Sequence, residues 1–297
     1  MTSVLQKPVE VLAEGLGHPE GPDVLPDGRV VFANTYASEI GVWDPATGAT
    51  GRYAFTGGGP NACMLGTDGH VYLTQCPTVG AWTAPERRPP SIQRAAPDGA
   101  VEVVVTEADG TPLVAPNDLT FGPDGRLYFT DSGDWDPVTK PHRGMICVVE
   151  TDGTCHLLEE LEAVYPNGIV AEPDGSIVWV ESYTRLVIRR RPDGAKEILH
   201  ELPEGHVPDG FKIDADGNFW ITTVGGGGLD VLSRDGEHLG FLETGGVPLN
   251  CTFGPGGSLY VCDFGTTETG NATPMIGRLL RVDVGVAGMT QFRGAIA

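Results

Sequence analysis

The sequence lacks long apolar stretches. No run of roughly 18 apolar residues, the length needed for a membrane-spanning helix, occurs in its 297 residues. Residues 1–7 have no apolar segment of the kind found in secretory signals. We therefore expect no membrane association and a cytoplasmic location.

Basic residues are also scarce. Lys and Arg number 19 against 40 Asp and Glu, which gives a net charge of −21 spread along the whole chain. Nucleic-acid binding needs a basic surface, so the composition argues against it. Most of these acidic residues are expected on a solvated surface, and a subset is compatible with holding a cation.

The six cysteines form no CxxC pair. They are scattered as Cys63, Cys76, Cys147, Cys155, Cys251 and Cys262. We expect reduced and mostly buried thiols, which is usual in the cytoplasm, and a single disulfide is left open.

Turn residues, by contrast, are abundant, with 43 Gly and 24 Pro. A Gly-containing turn followed by an alternating apolar strand recurs six times, with spacings of 41, 56, 50, 42 and 40 residues. The turns begin at Asp27, Asp68, Asp124, Asp174, Asp216 and Gly256. Repeats of about 40 residues built from short strands are typical of propeller blades. The sequence therefore predicts an all-β fold, a six-bladed β-propeller.

A second set of turns supports four strands per blade. Asp-Gly pairs begin at Asp98, Asp152, Asp193 and Asp235, between members of the first set. The sixth repeat lacks a fourth strand, and residues 9–13 could supply it by pairing with residues 278–283. We predict a single propeller domain over residues 1–297, with its core at about 9–285. Residues 1–7 and the tail after Gly288 are expected outside the ring.

Polar residues share one register of the innermost strands, seven positions before each turn. They are Glu20, Asn61, Asn117, Asn167 and Asp209, while the sixth repeat has Leu249 there and Asn250 one place later. A single such residue commonly caps a turn, but five at one register should converge on the central channel. Two carboxylates confined there repel each other unless a cation lies between them. An all-oxygen site favours Ca²⁺ first, then Mg²⁺ or Mn²⁺.

A second polar register lies seven positions after each turn. It comprises Asn34, Gln75, Asp131, Glu181, Thr223 and Asp263, expected at the same end of the channel, where they bind a hydroxylated ligand or are merely solvated. Long loops at 76–91, 132–145 and 264–276 emerge on that face, and such loops usually shape the substrate site. They carry Trp82, Arg87, Arg88, Trp135, His142 and Thr266. The predicted substrate-binding residues are Asn61, Asn117, Asp131, Glu181, Trp82, Trp135 and His142.

These motifs resemble those of the gluconolactonase/senescence-marker-protein (regucalcin) family of six-bladed propellers, over about residues 9–285. The resemblance rests on Pro19-Glu20-Gly21-Pro22, Pro116-Asn117-Asp118-Leu119 with Tyr128-Phe129-Thr130-Asp131, Asn167-Gly168, and Pro208-Asp209-Gly210-Phe211-Lys212-Ile213-Asp214. It implies one divalent metal on Glu20, Asn167 and Asp209, with Asn117 on the metal or the substrate. It also implies hydrolysis of sugar lactones, and some relatives hydrolyse organophosphates. The chain departs at Ala115, where regucalcin-like members place an Arg that meets the sugar acid.

We therefore predict a metal-dependent hydrolase that opens a lactone, with an aldonolactone as the first expectation. The metal, with Fe²⁺ and Zn²⁺ also considered, would polarise the carbonyl, and either Asp209 or a metal-bound hydroxide would activate water. Glu20, Asn117, Asn167 and Asp209 are the predicted ligands, and Asp209 is the predicted catalytic residue.

Other interpretations stay open at this point. The absence of Gly-x-Ser-x-Gly gives no sign of a serine nucleophile, and His18 or His206 is a weaker candidate base. The same metal site could serve another hydrolytic or biosynthetic reaction, such as phosphotriester cleavage. It could also stabilise a non-catalytic binding scaffold. The expected partner is a small-molecule substrate, and the sequence does not indicate an oligomeric state.

Overall fold

The computed structural model describes residues 4–79, 82–265 and 276–297. It shows six antiparallel sheets, each with four principal strands in sequence order around a ring, so the predicted six-bladed propeller is confirmed. The described residues contain no α-helix and two short 3₁₀ turns, Thr35–Ala37 and Pro255–Gly257. Among these residues, no helix is long and apolar enough to cross a membrane.

Each blade extends from an innermost strand at the channel to an outermost strand at the rim. In that order, blade 1 contains Pro19–Val24, Val30–Asn34, Glu39–Trp43 and Thr50–Phe55; blade 2, Gly59–Leu65, Val71–Cys76, Ser91–Ala95 and Val101–Val105; blade 3, Pro116–Phe121, Leu127–Asp131, Met145–Val149 and Cys155–Glu160. Blade 4 contains Pro166–Ala171, Ile177–Glu181, Leu186–Arg190 and Lys196–Glu201; blade 5, Val207–Ile213, Phe219–Val224, Gly228–Leu232 and His238–Glu243; blade 6, Pro248–Phe253, Ser258–Asp263, Gly277–Asp283 and Val9–Leu16. Two small hairpins, Thr78–Val79 with Trp82–Thr83 and Glu107–Ala108 with Thr111–Pro112, lie outside the blades.

The inner strands form the core because each blade packs against a neighbour on both faces. The second strands Val30–Asn34 and Ile177–Glu181 are buried along their whole length. The outermost strand Lys196–Glu201 instead alternates between exposed and half-buried positions. This contrast follows from the layer architecture, since a strand covered on both faces loses the alternation of a half-exposed one.

The ring closes as the sequence predicted. Val9–Leu16 pairs antiparallel with Gly277–Asp283, with Val9 opposite Val282, and so supplies the fourth strand of blade 6. Val4–Leu5 was expected outside the ring but pairs in parallel with the outermost strand of blade 5. The N-terminal segment therefore joins two blades and covers an exposed edge.

The C-terminal tail was also expected outside the ring, but it docks across the face that carries the inner turns. The Met289 amide donates to the Ile213 carbonyl at 2.9 Å in blade 5, and the Thr67 amide of blade 2 donates to Gly294 at 2.8 Å. The Ala297 amide donates to a carbonyl of blade 3. Met289, Gln291 and Phe292 line the channel at this end, so the tail covers part of its opening here.

Candidate metal and substrate site

Each innermost strand begins at or near a proline placed at the open end of the channel. The six prolines are Pro19, Pro60, Pro116, Pro166, Pro208 and Pro248, and each pairs with the polar residue that was predicted seven positions after the turn. The strand register shifts directly after each of these pairs or one residue later. Proline lacks an N–H and is tolerated at such bulges, which redirect the next side chains. The bulges thus turn the side chains of the first polar register toward the axis of the channel.

Hydroxyl groups fix the backbone of the innermost strands of blades 2 to 6 to the preceding blade. Thr74 Oγ1 donates to the Asn117 carbonyl at 2.6 Å, and Thr130 Oγ1 donates to the Asn167 carbonyl at 2.8 Å. Equivalent bonds to the next blade come from Thr35, Ser182 and Thr222. These bonds use main-chain acceptors, so they position the candidate ligands without occupying the side chains.

Glycines next to the candidate ligands let the innermost strands approach closely. A Cβ on Gly210 would lie 1.9 Å from Asn250 Cγ, and one on Gly168 would lie 2.6 Å from the Asp209 carbonyl oxygen. Either contact is far shorter than two non-bonded atoms allow, so only glycine fits. The spacing explains why glycine follows both Asn167 and Asp209.

The five residues of the first predicted register meet at this end of the channel. Glu20, Asn117 and Asn167 are buried, at 2%, 8% and 5% exposure. Asp209 and Asn61 are half-buried, so the cluster is open on one side. Asn61 Nδ2 donates to Asn117 Oδ1 at 3.1 Å. The cluster therefore combines enclosed oxygen donors with one accessible side.

The two carboxyl groups of the cluster are electrostatically strained. Burial, followed by the charges of Asp209 and Asp118, raises the pKa of Glu20 well above its usual range. Burial and then the charge of Asp118 raise the pKa of Asp209 to about 8, although hydrogen bonds with Asn167 and Glu20 oppose the shift. In the part of the chain that the structure describes, neither these two carboxyls nor that of Asp118 forms an ion pair with Lys or Arg. A cation is the simplest compensation.

Asp118 is a member of the cluster that sequence reasoning missed. It is 2% exposed, and its Oδ2 accepts a hydrogen bond from Asn250 Nδ2 at 3.3 Å. Strict alternation would send Asp118 away from the channel when Asn117 faces it, but the bulge interrupts the alternation. Two features of the sequence could have indicated this position of Asp118. They are the adjacent polar residues Asn117 and Asp118, and Asn250 one place off the register.

The donor set fits a divalent cation. Asn167 Nδ2 donates to Ser182 Oγ at 3.1 Å, and the buried Oδ1 atom has no hydrogen-bond partner among the described residues. Buried oxygens are rarely left unpaired, so this atom is an available ligand. Among the described residues no three His, Cys, Asp or Glu side chains are arranged to hold a metal by themselves. A metal here would need amide oxygens, as the sequence predicted, and such a set suits a hard ion.

Asp131 and Glu181 lie opposite Pro116 and Pro166 at the predicted end of the channel, where each holds a neighbouring segment. Both oxygens of Asp131 accept backbone amides, from Val114 at 2.7 Å and Ala115 at 2.8 Å. Glu181 accepts from the Thr184 hydroxyl at 2.7 Å and lines a groove with Trp179. Both carboxylates are therefore already engaged by neighbouring segments of the chain, and their role in binding a substrate stays a prediction.

The predicted loop residues lie around the mouth, with different partners. Trp135 lines a cleft together with Asn61, Asn117 and Tyr165. Trp82 contacts Tyr36, with ring centroids 5.3 Å apart. His142 Nε2 lies 3.4 Å from Asp134 Oδ2. Thr266 and most of its loop lie outside the described residues. Tyr165 was not predicted, and a resemblance based on polar registers gave no reason to select it.

The two histidines considered as bases are engaged elsewhere. His18 Nδ1 lies 3.1 Å from Thr35 Oγ1, and burial lowers its pKa to about 4, so the ring is neutral at pH 7. His206 Nδ1 lies 2.7 Å from the buried carboxylate of Asp230, in the third strand of blade 5. That contact directs His206 toward the outer part of its blade.

The chain is similar to known proteins over most of its length. A protein-family model described as "SMP-30/Gluconolactonase/LRE-like region" matches residues 18–285. A gluconolactonase of Zymomonas mobilis is 26% identical over 286 residues, covering 84% of this chain and 77% of that protein. Strictosidine synthase-like protein 3 of Arabidopsis thaliana is 31% identical over 149 residues, covering 44% of this chain and 36% of that protein.

Solved structures share the fold at low sequence identity. A calcium-binding regucalcin from Agrobacterium tumefaciens superposes with a TM-score of 0.79 at 20% identity, over 100% of both chains. A gluconolactonase from Xanthomonas campestris gives a TM-score of 0.73 at 20% identity, over 93% of this chain and 89% of that chain.

Proposed function

Because the chain belongs to the SMP-30/gluconolactonase/LRE-like family, we propose that it is a metal-dependent lactonase. The observation that carries this proposal is the enclosed cluster of Glu20, Asn167 and Asp209, in which the Asn167 Oδ1 atom has no partner. A family of lactone hydrolases makes ring opening the expected chemistry, and the oxygen-rich cluster supports a cation as its cofactor.

Glu20, Asn167 and Asp209 would hold the ion, with Asn117 beside it. Ca²⁺ is favoured because all of the donors are oxygens, and Mg²⁺, Mn²⁺, Fe²⁺ or Zn²⁺ are alternatives. When bound, a divalent ion supplies a Lewis acid that stabilises negative charge developing on the carbonyl oxygen.

Asp209 is the proposed general base. It is the half-buried carboxylate of the cluster, so it can reach both a water at the mouth and the enclosed donors. It would accept a proton as water adds to the carbonyl carbon, and then return that proton to the ring oxygen as the C–O bond breaks. Asn167 and Glu20 lie beside Asp209 and would keep its carboxylate in place.

The asparagine pair is proposed to orient the substrate. Asn61 donates to Asn117 Oδ1, so the Asn117 amide is held in one orientation. Its Nδ2 hydrogens can then donate to a lactone oxygen.

All six cysteines are buried and unpaired, which supports the proposed cytoplasmic location.

The test is a pH-indicator assay on metal-stripped protein with each of the five metal ions restored. The panel contains aldonolactones, simple γ- and δ-lactones and a phosphotriester. We expect lactone turnover that depends on the metal and falls by at least a hundredfold in Glu20→Gln and Asp209→Asn, while Asp27→Asn, in an exposed turn, behaves as wild type. Folded, metal-loaded protein that turns over none of the lactones would contradict the proposal and favour a binding scaffold.

A further inference from the structure

Tyr165 has an unusual backbone conformation beside the candidate site. Its φ angle is +55°, in the left-handed region that bulky side chains rarely adopt. Two backbone hydrogen bonds hold the segment in place: the Ser182 amide donates to the Tyr165 carbonyl at 3.0 Å, and the Tyr183 amide donates to Val164 at 3.1 Å. Such strain persists only where the surroundings enforce it, and it is concentrated at functional sites.

The side chain of Tyr165 connects the cluster to its mouth. Its hydroxyl lies within hydrogen-bonding reach of the Asn117 side chain, and the ring lines the same cleft as Asn61 and Asn117. Tyr165 stands two positions before Asn167, and the same position in blade 3 is Ala115. The small alanine leaves the space over Asn117 to the tyrosine of the next blade.

Tyr165 belongs to a group of three mutually contacting rings, which we call the aromatic wall, formed by Trp135, Tyr165 and Tyr183. The Trp135 and Tyr165 rings meet edge to face at a centroid distance of 4.8 Å. The distances are 5.1 Å from Trp135 to Tyr183 and 5.2 Å from Tyr165 to Tyr183. Trp135 remains 43% exposed, so the wall offers an apolar surface beside the cleft.

The described side chains that line the cleft carry acidic rather than basic groups. The residues that line it include no Lys or Arg, whereas Asp134 contributes a carboxylate. The nearby ammonium of Lys140 lies 5.1 Å from the centre of the Tyr183 ring, on the wall rather than in the cleft. An anionic substituent that extends from the proposed metal site onto Trp135 would therefore meet the Asp134 carboxylate, whereas an uncharged apolar substituent would meet matching surface.

We propose that the aromatic wall selects uncharged lactones that carry an apolar or planar substituent, which would lie against Trp135 and Tyr165. This inference rests on the proposed lactonase function and names its substrate class, which differs from the polyhydroxylated lactones first expected. The Tyr165 hydroxyl keeps Asn117 oriented, and the ring surface supplies the selectivity.

The test compares kcat/KM for three substrates: γ-phenyl-γ-butyrolactone, unsubstituted γ-butyrolactone and δ-gluconolactone. Wild-type protein should prefer the phenyl lactone to both others by about tenfold or more, the scale expected of an apolar contact. Trp135→Ala should reduce the phenyl preference about tenfold. Tyr165→Phe should lower kcat/KM on all three substrates and keep the preference. Phe55→Ala, an exposed ring on blade 1, is the matched control and should change nothing.

A second readout, quenching of tryptophan fluorescence by the phenyl lactone, does not depend on turnover. We expect quenching in Asp209→Asn protein and its loss when Trp135→Ala is added.

Preference for δ-gluconolactone in the wild type would overturn the inference and leave the lactonase proposal standing. An equal loss on all substrates in Trp135→Ala would also overturn it. Quenching that requires Trp135, without hydrolysis of any lactone, would overturn the lactonase proposal and keep the wall as a binding surface. Neither quenching nor hydrolysis would overturn both.

Discussion

The docked C-terminal tail makes a specific stability prediction through Arg293. Its guanidinium donates from both terminal nitrogens to the carboxylate of Asp23, with Nη2 at 2.9 Å from Oδ1. Asp23 is 2% exposed and lies three residues after Glu20 in the innermost strand of blade 1. Arg293→Ala therefore leaves a buried carboxylate without its counter-charge in the strand that also carries Glu20.

The magnitude follows from what remains around Asp23. After the change its oxygens keep two backbone donors, Leu65 at 2.8 Å and Val24 at 2.9 Å. Breaking a fully buried pair costs about 3–5 kcal/mol, and the 25% exposure of the Arg293 side chain reduces this to an expected loss of about 2–4 kcal/mol. Neutralising the carboxylate as well, in Asp23→Asn/Arg293→Ala, should restore part of the loss.

Urea unfolding monitored by tryptophan fluorescence measures the change. A fall in Tm of about 5–10 °C should accompany it. The control is Arg281→Ala, because Arg281 pairs with Glu10 in a surface ion pair worth about 0–1 kcal/mol. If the free energy of unfolding of Arg293→Ala lies within about 0.5 kcal/mol of wild type, the pairing of Arg293 with Asp23 in the docked tail is refuted.

Three further predictions concern the cluster and the core. Gly210→Ala should abolish metal binding and reduce stability because its Cβ would overlap Asn250. Gly51→Ala, whose Cβ has only an ordinary contact, should be tolerated. Equal thermal melts of the two variants would count against the close packing around Gly210. Metal-free protein should lose stability as pH rises from about 4 through 8, because the raised pKa values of Asp209 and Glu20 make the folded state bind more protons than the unfolded chain. Divalent metal should reverse that loss and release protons, and thermal melts that do not change between pH 5 and 9 would speak against the strained carboxyl pair. Ellman's reagent should label no thiol rapidly in native protein and six in guanidinium, since burial raises the pKa of every cysteine; fast labelling of any native thiol would disprove this.

The ring and its polar register were accessible from sequence because both depend on local signals. The tight turns between strands need a Gly at positive φ, as at Gly28 (φ +88°) and Gly125 (φ +78°). The recurrence of these turns along the sequence gave the number of blades. Counting seven positions back located Glu20 and Asp209 because all of the blades share one hairpin length.

What sequence reasoning missed depends on distant or irregular structure. The bulges in the innermost strands break the two-residue alternation, so Asp118 joined the cluster. The position of Tyr165 over Asn117 depends on packing between blades 3 and 4. The docking of the tail depends on partners far away in the sequence, such as Asp23, which lies 270 residues before Arg293, and no local pattern encodes such contacts.

The most direct test of the central claim is calorimetric titration of Ca²⁺ into metal-free wild-type protein and into Glu20→Gln, Asp209→Asn and Asp27→Asn, with lactone hydrolysis measured on the same samples. We predict one site per chain in the wild type and Asp27→Asn, loss of that site in the two cluster variants, and activity that follows occupancy. Full hydrolysis by protein that holds no metal, or unchanged metal binding in both cluster variants, would contradict the claim that this cluster holds the catalytic ion.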